Sequence, residues 1–172
     1  MKKIAPFSLT LSLIAVLLCG LSACKKPETS LTPVTKGISF SCSLTYYNEC
    51  YEGNAQIDDD GVMALTLTAP ASLDGLAFVF DGDNATATYK GLSYGYRLSS
   101  VPEGMAVSTL YQILRDTFDP EAQVILQDDL YCMTGKTASA DYRIVFGQTG
   151  LPISASAPET GFTVSFQNVT ID

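Results

Sequence analysis

Ile38-Ser39-Phe40-Ser41-Cys42-Ser43-Leu44-Thr45-Tyr46 decides the fold of this 172-residue chain. Apolar and hydroxyl side chains alternate without a break, the period-two pattern of a strand with one buried face. Tyr47-Asn48 reads as a turn, and residues 51–57 bring the chain back. Asp58-Asp59-Asp60-Gly61 turns it again, and residues 62–69 form a strand ended by Pro70. Leu76, Phe78 and Phe80 carry the alternation into Asp81-Gly82-Asp83-Asn84, a hairpin turn. Residues 85–90 follow with Thr86, Thr88 and Lys90 outward, and Leu92, Tyr94, Tyr96 and Leu98 share one face of the next strand.

The period then changes. After Pro102-Glu103-Gly104, Val107, Leu110, Tyr111, Leu114 and Phe118 recur at helical spacing, with Ser108, Gln112, Arg115 and Asp116 as the polar side. Asp119-Pro120 ends this helix, and residues 123–126 fit either period. Four more strands are expected at 130–134, 138–146, 151–157 and 162–169, with turns at Gly135-Lys136, 147–150 and 159–161. The expectation is about ten strands and one helix, a mainly β (α+β) domain over residues 38–172.

Residues 1–23 read as a secretory signal: Lys2 and Lys3, an apolar run from Leu9 to Leu18, then the small residues Gly20, Ser22 and Ala23. A run of about 10 residues is too short for a spanning helix, which needs about 20. Leu21-Ser22-Ala23-Cys24 resembles the lipobox of bacterial lipoproteins. That resemblance implies cleavage before Cys24 and lipid on its sulfur, and a diacylglycerol there supplies the two chains that stable anchoring requires. Cys19 is preceded by Ala15, Val16, Leu17 and Leu18 of the apolar run, the wrong neighbours for a lipobox, and leaves with the signal. Residues 25–36, KKPETSLTPVTK, carry Pro27 and Pro33 and no apolar period. Residues 24–37 are therefore expected to be a lipidated Cys and a flexible tether. The expected place is the outer face of the plasma membrane, or a periplasmic leaflet in a cell with two membranes.

Composition narrows the chemistry. Without Lys2 and Lys3 the chain holds 8 basic and 18 acidic side chains, a formal charge of −10. An acidic surface argues against nucleic acid as a partner and against broad adhesion to anionic membrane. Lys25, Lys26 and Lys36 lie where they can meet membrane headgroups. The chain has no His, which removes the usual general base and the usual metal ligand. Gly91-Leu92-Ser93-Tyr94-Gly95 matches the nucleophile-elbow pattern, but it lacks a His base and sits between strands. Gly135-Lys136-Thr137 resembles the end of a P-loop, yet the first Gly of that motif is replaced by Leu130. Asp58-Asp59-Asp60 and Asp81/Asp83 lack EF-hand spacing and read as turns. Glu49/Glu52 and Asp128/Asp129 read as solvated strand ends. No catalytic residue, metal or cofactor is expected. Cys42 shares the buried parity of Phe40 and Leu44, and Cys50 the exposed parity of Glu52 and Asn54, so no bond between them is expected.

Residues 76–80 and 142–146 are apolar on both faces, through Ala77, Val79 and Val145. Two readings stay open: an ordinary two-layer core, or a curved sheet around an apolar ligand cavity capped by residues 105–118.

Pro70-Ala71-Ser72-Leu73-Asp74-Gly75-Leu76, Phe80-Asp81-Gly82-Asp83 and Tyr89-Lys90-Gly91-Leu92 resemble the middle of the Lol-type lipoprotein-carrier superfamily. Gly150-Leu151-Pro152-Ile153 and Phe162-Thr163-Val164-Ser165-Phe166-Gln167-Asn168 resemble its last two strands. The resemblance covers residues 38–172. It implies a strongly curved antiparallel sheet forming an unclosed half-barrel, with a helix covering an apolar cavity, in proteins that carry or sense lipids or lipoproteins. Three departures stand out. The periplasmic carrier is not lipidated, whereas this chain has Cys24 and in that respect is closer to the lipidated acceptor and lipidated lipid-binding relatives. The carrier has an Arg in its early strands, whereas the first Arg here is Arg97, and the carrier's N-terminal helix is replaced by the tether. The residues expected to line a cavity are Phe78, Phe80, Tyr94, Tyr96, Leu110, Leu114, Ile144, Phe146, Phe162 and Phe166. The expected function is non-catalytic binding of a lipid or acyl chain by a membrane-anchored protein. The alternative is an envelope interaction or sensor module with a packed interior and a protein partner.

Overall fold

Strands joined by tight turns pair with their sequence neighbours, and that rule builds most of this molecule. The computed structural model describes residues 31–100, 105–137 and 139–172. Six strands come first: β1 (Ile38–Tyr46), β2 (Glu49–Ile57), β3 (Met63–Ala69), β4 (Ala77–Asp81), β5 (Asn84–Tyr89) and β6 (Leu92–Arg97). Helix α1 (Ala106–Asp116) follows, then β7 (Ile125–Gln127), β8 (Leu130–Lys136), β9 (Asp141–Phe146), β10 (Pro152–Ala157) and β11 (Phe162–Ile171).

All eleven strands form one antiparallel sheet in the order β6-β5-β4-β3-β2-β1-β11-β10-β9-β8-β7. The chain enters at the centre, meanders to the β6 edge, crosses through α1 to the β7 edge, and meanders back to pair β11 with β1. The sheet is not closed into a barrel, because its edge strands β6 and β7 do not pair. The protein is thus mostly β, with one helix among the described residues. None of the described helices is long and apolar enough to cross a membrane.

Turn chemistry sets the hairpins. Tyr47-Asn48, Lys90-Gly91 and Asp128-Asp129 are two-residue loops with positive φ at both positions, the hand that matches strand twist. The Asp58 carboxylate accepts the Val62 N–H at 2.8 Å, so that acidic run makes a turn.

The structure corrects several sequence expectations. Gly135-Lys136 is not a turn but the end of β8, and β9 begins at Asp141. Gly135 pairs with Tyr142, whose ring occupies the space a side chain would take: a Cβ there would lie 2.8 Å from Tyr142 Cε1. The turn instead runs from Thr137 to Ala140, whose N–H and C=O both bond the Thr137 side chain. Residues 123–126 resolve into Val124 and the start of β7, an eleventh strand. Val79 on β4 is exposed, so the outer apolar face of that strand has no cover.

Part of the expected tether is not free of the domain. Residues 31–36 dock on the domain: Leu31 bridges Val124, Val34 N–H donates to Gly150 O at 2.8 Å, and Thr35 is buried against Thr117. Lys36 Nζ sits 5.0 Å from the Phe118 ring centre. Two apolar side chains in a polar stretch, Leu31 and Val34, are what hold it. The signal segment, Cys24, Lys25 and Lys26 lie outside the described residues, as do Pro102, Glu103 and Gly104.

Candidate functional site

Three rungs of paired residues cross the concave face of β1–β6, and they differ in how well they are covered. The first runs Ile38, Ile57, Met63, Phe80, Ala85, Tyr96. All but Tyr96 are buried, and Tyr96 is half-buried. The second runs Phe40, Ala55, Leu65, Phe78, Ala87, Tyr94. It ends in the open, with Tyr94 71% exposed. The third begins at Cys42, Gly53 and Leu67 and reaches the Tyr89–Leu92 pair, where Leu92 is 79% exposed.

Helix α1 makes the difference. Its residues Ala106 to Tyr111, Ile113 and Leu114 are all buried, so it is sunk into the curve of the sheet. A helix buried nearly all round needs apolar neighbours on most sides, and Val107, Leu110, Tyr111, Ile113 and Leu114 join one core with both wings of the sheet. Ser108, expected on the polar side, is buried with them. Tyr111 stacks on Phe80 with ring centres 4.9 Å apart.

The helix C-terminal half is pinned by polar contacts. Gly82 N–H donates to Tyr111 Oη at 3.1 Å. Arg115 donates to Gly82 O at 3.2 Å and to the Asp83 carboxylate at 2.8 Å. Tyr142 O–H donates to the Asp116 carboxylate at 2.7 Å. Burial, then the Asp116 hydrogen bond and charge, push the Tyr142 phenol well above its ordinary range. The N-terminal half has no side-chain cap at Met105. There the hydroxyls of Tyr96 and Ser108 are buried without a hydrogen-bond partner in good geometry. Burial raises the Tyr96 phenol, and the nearby Ser108 hydroxyl offsets part of that rise.

These contacts place the ten residues expected to line a cavity. Phe78, Phe80, Leu110, Leu114, Ile144, Phe146, Phe162 and Phe166 are buried and packed into one core. They fill the interior, because α1 occupies the space the curve encloses. Tyr96 is at the margin and Tyr94 outside it, their rings 6.1 Å apart. Beside Tyr94 lie exposed Leu92 and half-buried Leu76, Ala87 and Tyr89, an apolar shelf on the concave face beyond the reach of the helix. Tyr89 O–H donates to Ser72 O at 2.8 Å, which fixes its ring at the shelf edge. Leu92, Leu76 and Tyr89 were not expected as site residues, although Leu92 shares parity with Tyr94 in the sequence.

A separate cleft of about 650 Å³ lies between residues 31–36 and 117–125, lined by Pro33, Val34, Phe118, Pro120 and Val124 among others. None of the ten expected residues lines it.

Ser93 and Lys136, from the two motif look-alikes, both lie in strands. Ser93 lies within β6 and accepts the Thr88 hydroxyl at 3.4 Å, with strand on both sides. Lys136 pairs with Asp141 at 3.7 Å in the sheet. Among the described residues no group of His, Cys, Asp or Glu could hold a metal ion. Cys42, Cys50 and Cys132 are free, with Cys42 and Cys132 buried. Burial pushes the Cys42 thiol up to about 11, against a smaller opposing effect from the Gly53 backbone.

No known protein family matches the chain, and no curated protein matches it. Solved structures are similar to it. One is the crystal structure of a LolA superfamily protein from Nitrosomonas europaea, 12% identical, covering 85% of this chain and 87% of that chain with a TM-score of 0.39. Another is a DUF1329 family protein from Desulfovibrio piger, 14% identical, covering 98% and 94% with a TM-score of 0.44. The first bears the family name that the sequence resembles. At these identities and TM-scores neither likeness says anything of ligand, activity or partner.

Proposed function

We propose that this protein is a membrane-anchored, non-catalytic binding protein that shelters an acyl chain or similar apolar ligand. The observation that carries the reading is the second rung. Pairing register puts Tyr94 on the same concave face as buried Phe78, yet leaves it 71% exposed. Hydrocarbon laid on Leu92, Tyr94, Leu76 and Ala87 would leave water, at about 0.8 kcal/mol per CH₂ group. A longer chain would need space that α1 now fills. The helix would then act as the gate, its uncapped N-terminal half moving while Tyr111, Arg115 and Asp116 hold the other half. Lipid on Cys24 would keep the protein on the extracytoplasmic side of a membrane.

The test is native mass spectrometry of the protein purified from a lipid-rich extract, with displacement of a fluorescent fatty acid as a second readout. The expected result is a population carrying a lipid-sized mass, lost in Tyr94→Asp and Leu92→Asp variants that melt like the wild type. A clean mass with no fluorescence change would overturn the reading.

A second reading has its own support. Eight of the ten expected lining residues are already buried against one another. That favours an envelope interaction or sensor module with a packed interior, and crosslinking to a protein partner in the absence of bound lipid would establish it.

A further inference from the structure

The exposed aliphatic side chains of the described residues are not scattered evenly. Three of them, Ile125 at 44%, Leu126 at 47% and Leu130 at 46%, lie within six residues at the turn end of the β7–β8 hairpin. Ile125 and Leu126 point to opposite faces of an edge strand, so only a partner approaching along the edge itself covers both. Leu130 sits opposite Gln127, on the side of Ile125. β7 has only three residues, too short a ladder for another strand to add to with any strength.

The docking point of Leu31 argues for what covers this edge. Leu31 bridges Val124, the residue just before β7. Cys24 is seven residues before Leu31, a span of at most about 25 Å when fully extended. A lipid on Cys24 would therefore keep the bilayer within about 25 Å of Leu31, a range that includes this hairpin, and weak contacts gain from such high effective concentration. Asp128 and Asp129 form the hairpin tip, so an approach tip-first would press two carboxylates into the membrane. A side-on approach leaves both in water.

We infer that the β7 edge, with Ile125, Leu126 and Leu130, is the membrane-facing surface, and that it rests in the headgroup layer of a lipid bilayer. This inference depends on the lipid-anchor reading of Cys24. The Leu92–Tyr94 shelf lies on the other edge strand, β6, and is a separate surface from this one.

The chain contains no Trp, so one introduced Trp is an unambiguous reporter. Full-length, membrane-processed protein carrying Leu126→Trp, and separately Thr88→Trp on the outer face of the other wing, is placed in phosphatidylcholine vesicles with and without brominated acyl chains. Ile125→Trp serves as a second reporter should Leu126→Trp disturb the fold. The mass of the N-terminal peptide is measured on the same samples. The expected result is a lipidated Cys24 peptide and quenching of the hairpin Trp about twofold or more above that at position 88. A lipidated peptide with no quenching at the hairpin, or with equal quenching at both sites, overturns the membrane-facing edge and leaves the anchor standing. A Cys24 peptide without lipid overturns both.

Discussion

Phe80 and Tyr94 stand on the same concave face of the same sheet, two strands and one rung apart. Phe80 is fully buried under Tyr111, while Tyr94 is 71% exposed. Both belong to alternating aromatic strands, and by pattern alone they read alike. The difference comes from α1, which is about 16 Å long at 1.5 Å per residue and covers one end of the face only. The covered end does the folding, and the uncovered end is free to do something else.

The sharpest way to break this comparison is to truncate both rings. Phe80→Ala should cost about 3–5 kcal/mol by urea denaturation, from lost burial and a cavity against Tyr111. Tyr94→Ala should stay within about 0.5 kcal/mol. Equal losses would mean that the shelf is part of the core. For the same reason Leu114→Arg, on the buried helix, should unfold the protein and cannot report on ligand binding.

A second effect separates the two faces of β1–β2. Burial raises the folded Cys42 thiol from an ordinary 9.0 to about 11. A raised folded value means the stabilisation is complete below pH 9 and is lost as pH climbs toward 11. Wild-type stability should therefore fall across that window by an amount on the order of 2 kcal/mol that Cys42→Ala removes. A slope unchanged by that substitution would show that the thiol is not desolvated.

Smaller still are the pins of the helix. Tyr142→Phe removes a half-buried hydrogen bond to Asp116 and should cost about 1–2 kcal/mol in a thermal melt. Arg115→Ala breaks a solvent-exposed pair with Asp83 and should change stability by about 0.5 kcal/mol or less. If the ranking reversed, the C-terminal end of α1 would be held from the β4–β5 turn rather than from β9.

The last measurement has no energetic cost. A thiol reagent at neutral pH should label Cys50 in the native protein and reach Cys42 and Cys132 only after unfolding. Native labelling of Cys42 would contradict the inward face of β1.

Alternation made the strands legible because each residue's face depends only on its neighbours. Residues 38–46, 62–69 and the Asp81-Gly82-Asp83-Asn84 turn could be read without knowing anything distant. Gly135-Lys136 misled for a reason of the opposite kind. Its place in a strand depends on the Tyr142 ring lying over it from across the sheet. Residues 31–36 misled likewise, since their order rests on Val124, Gly150 and Thr117, all far along the chain. Eight of the ten expected cavity residues lie on strands and follow from parity, while Leu110 and Leu114 follow from helical spacing, and parity holds for the whole rung on which each strand member lies. What parity does not carry is where the helix sits along the rung, and that alone separates Phe78 from Tyr94.

By itself, then, the sequence determined the period of each segment, the turns that reverse it and the face each side chain takes, because these follow from backbone geometry over two to four residues. Tertiary structure alone decided that α1 fills the curve instead of capping it, that the β6 and β7 edges stay apart, and that the concave face ends in an exposed shelf. Those outcomes depend on which apolar surfaces, far apart in the chain, pack together and exclude water between them.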